Sequence, residues 1–398
     1  MSNDFNLTIL QSFSAMRLPN NRVLLTRKFM EATLKFAEFW PGSITVLMEE
    51  TNEEPDALDL RVFNFDELSF KLELVSFDEI TADKLRNRTS LVLAPVGYRQ
   101  NHISKVCQEA RIPCIYISEY TLKTRKQIAA VENPNNPLRC FWRSRWEEVQ
   151  EWKQRNAIAL ASGLQCNGTP TYEAYRTINR DPMLFFDTRI TEDMLATDED
   201  IEKRIRRRRE NTPLRLVFSG RLNRMKGADH LLDVAQKLKE IGIPFLLFIS
   251  GAGELEESMH QRIATSELSD CVKMMGVPDF KTRFFPFVKA KADLFICCHR
   301  QGDPSCTYIE TMSCGVPIVG YANEAFVGIV EQSEAGWLTE INQPQLLAEK
   351  VAELSRNLDE IKDMSFRSLR FAQTRTFDST FKARILHMER IATTSSSD

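Results

Sequence analysis

Between residues 212 and 340 the chain alternates short, continuously apolar runs with longer stretches that are apolar on one side only. The runs at 214–219, 245–250, 272–275, 293–298, 317–321 and 337–339 predict strands, and the stretches at 228–241, 255–268, 281–289, 305–313 and 323–332 predict helices. Within the first of these helices Leu231, Leu232, Ala235 and Leu238 share one face. Strands separated by helices imply parallel βαβ units and a doubly wound sheet. The first half reads less sharply. Its pattern predicts strands at 5–10, 44–48, 72–76, 91–95 and 114–117, with helices at 22–39, 82–87 and 102–110, which makes a second α/β sheet. A loop at 133–137 precedes a Trp- and Arg-rich amphipathic helix at 139–160, for which core packing is the expected role and membrane-surface contact the alternative. Residues 198–209, acidic and then basic, read as a solvated linker helix, with a nucleic-acid or membrane-surface patch as the alternative. The division expected is 1–205, 206–375 and a C-terminal helix and tail at 376–398 that packs back on the first domain, its last residues frayed.

Composition narrows the class. The 398 residues suit two or three domains. Fifty-two Lys and Arg against 55 Asp and Glu give a net charge of −3, and residues 1–211 carry 30 basic and 31 acidic groups, so no basic domain marks a nucleic-acid binder. The N-terminus shows no secretory pattern, and no apolar window approaches a membrane span. Nine cysteines without a C-x-x-C pair fit buried thiols in a reducing cytoplasm. Only 15 residues are glycine, and 11 of them fall between Gly220 and Gly336, at predicted strand ends.

Three of those strand ends carry chemistry. After 214–219 comes Gly220-Arg221-Leu222-Asn223-Arg224-Met225-Lys226-Gly227, where glycines allow close backbone approach and Arg221 and Lys226 place two cations at a ligand crevice. A second loop, Gly251-Ala252-Gly253, brings more backbone to the same edge. A third runs His299-Arg300-Gln301-Gly302-Asp303-Pro304-Ser305-Cys306-Thr307-Tyr308 and continues to Glu310. Gly302 or Asp303 is the expected helix cap, and free N–H groups near Ser305–Tyr308 would form an anion site. Glu310, two turns along, would accept hydrogen bonds from sugar hydroxyls, and His299 ends a strand at the crevice. Neither a metal-ligand spacing nor a D-x-D motif is present.

These motifs, in this order over about 130 residues from Leu216 to Val351, resemble the donor domain of the retaining, GT-B-fold glycosyltransferases of glycosyltransferase family four. The matching residues are Ser219–Leu222 with Lys226-Gly227, Gly251 with Gly253, Gly302 with Pro304, and Glu310, Met312, Gly315 and Pro317-Ile318-Val319. The resemblance implies two Rossmann-like doubly wound domains facing a central cleft, with a UDP- or GDP-linked sugar as donor and no further cofactor. It implies Arg221 and Lys226 at the diphosphate, Glu310 at the ribose, and Val277 near the base. Transfer would go to a glycan, lipid-linked glycan or small molecule, with retention and without metal, the departing phosphate helping to deprotonate the acceptor.

The chain departs from the pattern in places. The family's first glutamate, eight positions before the second, is Gly302 here, flanked by Gln301 and Asp303 as candidate sugar contacts. The glycine-rich loop after the first strand is replaced by Ser14–Arg22, and Glu119 stands where a histidine is usual. Glu119 is therefore a candidate acceptor-side carboxylate, with Gly97-Tyr98 and Asn167-Gly168 as weaker cleft candidates. A sugar-nucleotide-binding protein without turnover and a glycoside phosphorylase are the alternative readings; an NAD enzyme is disfavoured by the missing G-x-G-x-x-G.

Overall fold

A computed structural model describes residues 5–54, 60–132, 136–209 and 212–394. Residues 1–4 of the N-terminus, most of the predicted 133–137 loop and the end of the tail lie outside these. The strands in chain order are β1 (Leu7–Leu10), β2 (Met16–Leu18), β3 (Arg22–Thr26), β4 (Ile44–Met48), β5 (Leu60–Asn64), β6 (Lys71–Leu74), β7 (Leu91–Pro95), β8 (Cys114–Ser118), β9 (Gly163–Asn167), β10 (Pro182–Phe185), β11 (Leu214–Ser219), β12 (Phe245–Ser250), β13 (Val272–Gly276), β14 (Leu294–Cys297), β15 (Ile318–Tyr321) and β16 (Trp337–Thr339).

Two parallel sheets organise the molecule. The first runs β10-β9-β8-β7-β1-β4-β6 and the second β13-β12-β11-β14-β15-β16. Successive side chains of the first sheet go to opposite faces. Leu7, Ile9, Val46, Leu91 and Ile115 pack on one side, Leu10, Leu47, Val92 and Tyr116 on the other. The first face is closed by the helix Arg27–Phe39 and by Phe381, Ile385, Met388 and Ile391 of the last helix, Phe377–Thr394. The second sheet has a single large core, to which Phe186, Ile190, Ala196, Ile201 and Ile205 also contribute, although these precede residue 206.

Three expectations are corrected. Residues 22–26 are not helical: β3 pairs antiparallel with β2 and β5, and the helix begins only at Arg27, where the Thr26 hydroxyl accepts the Phe29 N–H. The side chains of 22–26 alternate between buried Val23 and Leu25 and partly exposed neighbours, a period of two. The helix Asp198–Arg209 is docked, not solvated. Buried Arg204 donates to the carbonyls of Lys289 (2.6 Å), Cys314 (2.7 Å) and Gly315, and Arg207 pairs with Asp293 at 2.5 Å. The helix Pro137–Leu160 does not put its tryptophans in the core: Trp142 and Trp152 are 68 % and 65 % exposed. No helix among the described residues is long and apolar enough to cross a membrane.

Candidate functional site

The carboxyl ends of β11, β12, β13 and β14 meet at one edge, and backbone contacts lock their loops together. Gly251 and Gly253 hold φ of +144° and +159°; a Cβ on Gly251 would lie 1.9 Å from the Gly220 carbonyl oxygen, and one on Gly253 2.8 Å from the Leu222 nitrogen. Only glycine permits this approach. The Leu222 N–H then donates to the Ala252 oxygen at 2.9 Å and the Gly251 N–H to the Gly276 oxygen at 2.8 Å. Val277, next along, is 63 % exposed at the same edge, an open apolar surface of the kind a base can stack on.

The loop of the two cations is braced by a residue that the sequence did not single out. The Arg300 guanidinium donates to the Arg224 carbonyl (2.8 Å) and to Asp229 (2.9 Å), and its N–H to the Met225 carbonyl (3.0 Å). This strut ties 221–227 to 299–303. Arg221 is exposed on the cleft side, near enough to Tyr120 of the first domain to act on its hydroxyl. Lys226 is half-buried and ion-paired with Asp303. Burial pushes the Asp303 carboxyl up, but the Lys226 ammonium, His299 and a Gln301 hydrogen bond outweigh it and hold the group below the usual range.

Around this pair lie three buried polar atoms that have no partner: His299 Nε2, Gln301 Oε1 and Asp303 Oδ1. Buried polar atoms are normally satisfied, so three within five residues at a crevice mark places that a ligand or water fills. His299 is fully buried, against Phe218 and 3.4 Å from the Tyr308 hydroxyl. Burial, with Lys226 adding to it, lowers its pKa to about 3, so the imidazole is neutral at physiological pH.

The predicted helix start needs correction. The helix is Thr307–Ser313, capped by Cys306, not by Gly302 or Asp303. Ser305 N–H donates to the Asp303 oxygen and Tyr308 N–H to the Ser305 oxygen, so these two N–H groups are not free. The Tyr308 side chain belongs to the core, stacked on Phe326 and bonded to Asn323 at 3.1 Å. Pro304 instead meets the first domain: a Cβ on Gly168 would lie 3.0 Å from its own Cβ. A side chain at 302 would crowd Glu324, at 3.0 Å from its Cβ, so the position of the family's first glutamate is tightly filled here. Glu310 is buried, and its carboxylate accepts from Arg189 at 2.8 Å. Arg189 in turn lies 3.9 Å over the Phe280 ring.

The opposite wall carries Glu119, just past β8. It is exposed, yet desolvation by its surroundings, with Asp187 beside it, pushes its carboxyl above the usual range despite Lys28. Lys28 donates to Asp187 at 2.7 Å, and its nitrogen is 3.6 Å from the Cys306 sulfur of the second domain. Burial would raise Asp187, but Lys28 holds it below the usual range. Lys28 and Asp187 therefore face Cys306 from across the cleft, with Glu119 beside them. Asn167 supports them by accepting the Asp187 N–H at 3.0 Å. Tyr98 lies elsewhere, edge-on to Trp146. Lys28, Asp187, Arg189 and Arg300 carry no local motif; only their partners' distance in sequence, resolved by the fold, reveals them.

Residues 199–367 match the family Glycosyl transferases group 1. The match lies in the second domain and spans less than half of the chain. AmsK of Erwinia amylovora, an amylovoran biosynthesis glycosyltransferase, is 30 % identical over 155 residues, 36 % of this chain and 36 % of its own. WcaL of Escherichia coli strain K12, assigned by name to colanic acid biosynthesis, is 31 % identical over 156 residues, 36 % of this chain and 37 % of its own. The chain thus matches little more than a third of the length of these curated relatives. Among solved structures, Anabaena HepE in complex with UDP superposes with a TM-score of 0.66 over 99 % of this chain and 100 % of its own, at 15 % identity. WaaG, a glycosyltransferase involved in lipopolysaccharide biosynthesis, gives 0.60 over 96 % and 99 %, at 12 % identity. At these identities the likeness is one of fold, and the fold is GT-B: two Rossmann-like domains across a cleft, with the second supplying the wall that bears Arg221, Lys226 and Glu310.

Proposed function

We propose that the chain is a glycosyltransferase that takes a sugar from a UDP- or GDP-linked donor held on the group 1 domain and passes it to a glycan or lipid-linked glycan entering from the first domain. The observation that carries this reading is the Lys226–Asp303 pair ringed by the unpartnered buried atoms of His299, Gln301 and Asp303. A donor diphosphate would draw Lys226 from Asp303. The freed carboxylate, with Gln301 and His299, would then accept and donate hydrogen bonds to sugar hydroxyls, the contacts that Gly302 cannot make. Arg221 and Lys226 would stabilise the charge developing on the leaving diphosphate, fixed in place before the bond breaks. The Cys306 and Thr307 N–H groups, which donate to no backbone carbonyl among the described residues, point the same way.

Glu310 would hold the ribose and Val277 the base. Glu119, with Lys28 and Asp187, would orient the acceptor. Retention, with a donor phosphate oxygen taking the acceptor proton, and independence of metal complete the proposal, as does a cytoplasmic site of action at the membrane surface. AmsK and WcaL carry names from exopolysaccharide synthesis, which supports a polysaccharide acceptor here.

A thermal-shift screen with UDP, GDP and their sugars tests donor binding. A ligand that binds the native state at 100 times its Kd stabilises it by about 2.7 kcal/mol. A rise in Tm with one nucleotide series, lost in Lys226→Ala, is expected. No shift with any nucleotide sugar contradicts the reading.

A further inference from the structure

The helix Pro137–Leu160 is turned inside out. At about 100° per residue, Leu138, Phe141, Trp142, Val149, Trp152 and Leu160 fall within one arc of about 100°, and every one of them is exposed, Leu138 at 73 %. The inward side is polar along 147–154 and joins the core only near its end, through Ala157 and Ile158. Half-buried Arg125, from the neighbouring helix Leu122–Glu132, donates to Glu147 (2.9 Å), Glu151 (2.7 Å) and Gln154 (3.2 Å), and Arg143 adds a second bond to Glu147 at 3.0 Å. An amphipathic helix on a globular protein ordinarily buries its apolar stripe. Here the ion-pair network fixes the helix in the opposite orientation.

Charge is sorted as strictly as hydropathy. All five basic residues of the helix, Arg139, Arg143, Arg145, Lys153 and Arg155, are exposed, and none of its three acidic residues, Glu147, Glu148 and Glu151, is. Arg143 lies 4.5 Å over the Trp146 ring. The solvent side thus combines an apolar stripe, larger than the scattered single residues of an ordinary surface, with the positive charge of Arg139 and Lys153 and of Arg143, Arg145 and Arg155, the last three paired to the helix's own glutamates. Aromatic and leucine side chains flanked by Arg and Lys suit the boundary between headgroups and acyl chains of an anionic bilayer, where the rings enter and the long cationic stems reach back to phosphate.

We infer that the outward face of Pro137–Leu160 docks the protein on an anionic phospholipid surface, lying in the plane of the interface. The same neighbouring helix that orients it also borders the cleft: Lys123 pairs with Glu324 of the group 1 domain at 2.8 Å and the Thr124 hydroxyl donates to the Gly302 carbonyl at 3.4 Å. Docking therefore brings the cleft mouth to the lipid surface. This gives a source for the acceptor, a clause that rests on the proposed transferase reading; the docking itself does not.

The test is co-sedimentation of the full chain with phosphatidylcholine vesicles, with and without phosphatidylglycerol at roughly a third of the lipid. Binding to the anionic vesicles, weak binding to the neutral ones, and a loss of partitioning of roughly tenfold or more in both Trp142→Ser/Trp152→Ser and Arg139→Glu/Lys153→Glu are expected. Nucleotide-induced thermal shifts should stay unchanged in both variants, which separates this inference from the donor site. Equal binding to neutral and anionic vesicles, or none, overturns it. So does a wild-type dimer that the tryptophan pair abolishes, since the face would then join two copies. Should a variant melt early, quenching of wild-type tryptophan fluorescence by brominated lipid decides, and an absence of quenching counts against docking.

Discussion

Lys226 is held in the structure by a carboxylate that a donor would have to displace, while Arg221 stands exposed at the same edge. If both act on the leaving diphosphate, each should matter more to turnover than to folding. Arg221→Ala and Lys226→Ala are expected to lower kcat about 100-fold or more, with melting temperatures near wild type, measured by release of nucleoside diphosphate. His299 carries a separate consequence. Its folded pKa of about 3 lies below the ordinary 6.5 of histidine, so between these pH values the unfolded chain binds the extra proton. Stability from this group is fully present above about pH 6.5 and declines as pH falls toward 3, by at most about 1.4 kcal/mol per pH unit. Urea midpoints at pH 7 and pH 5 should differ less in His299→Asn than in wild type. At this scale the sequence was informative where residues are neighbours along the chain: Arg221, Lys226, Gln301 and Asp303 came from adjacent loops at predicted strand ends. Lys28, Asp187 and Arg189 were not legible, because their partners are 119 or more positions away.

Elements tell a similar story. In the second sheet, β11, β12 and β16 and the helix Ala228–Ile241 coincide with the apolar pattern residue for residue, since strands buried on both sides are continuous apolar runs. The antiparallel hairpin at 16–26 was obscured because its strand β3 runs straight into a helix with only the Thr26 cap between them. The charge run at 203–209 looked solvated because a sequence does not show which carbonyls lie opposite an arginine. Arg204 donates to three of them, so Arg204→Met should leave buried acceptors unpaired and cost about 3 kcal/mol, read as a lowered urea midpoint. Gly227 is constrained twice over: φ is +66°, and a Cβ would lie 2.0 Å from the Cys298 oxygen. Gly227→Ala should destabilise by about 2 kcal/mol or more and disturb the turn that presents Lys226.

At the scale of the whole molecule the last helix joins what the chain order separates. It follows the second domain, yet Phe381, Ile385 and Met388 fill the first domain's core, and buried Arg384 donates to Gln165 at 2.8 Å. The cleft is also bridged at its surface by Lys28, which reaches Asp187 and Cys306, and by Lys123–Glu324, whose side chains are 63 % and 38 % exposed. An exposed pair of that kind contributes little, so Lys123→Ala should change stability by under about 0.5 kcal/mol; removing residues from 377 onward should expose the first core and abolish cooperative unfolding of that domain. The central claim is that donor chemistry runs through the cations of the second domain. Its most direct test is nucleoside diphosphate release from a panel of UDP- and GDP-sugars, with glycan and lipid-linked acceptors, by wild type and Lys226→Ala side by side. Release from one nucleotide series by wild type and a fall of about 100-fold in the variant are predicted. Equal turnover by the two proteins would contradict the account.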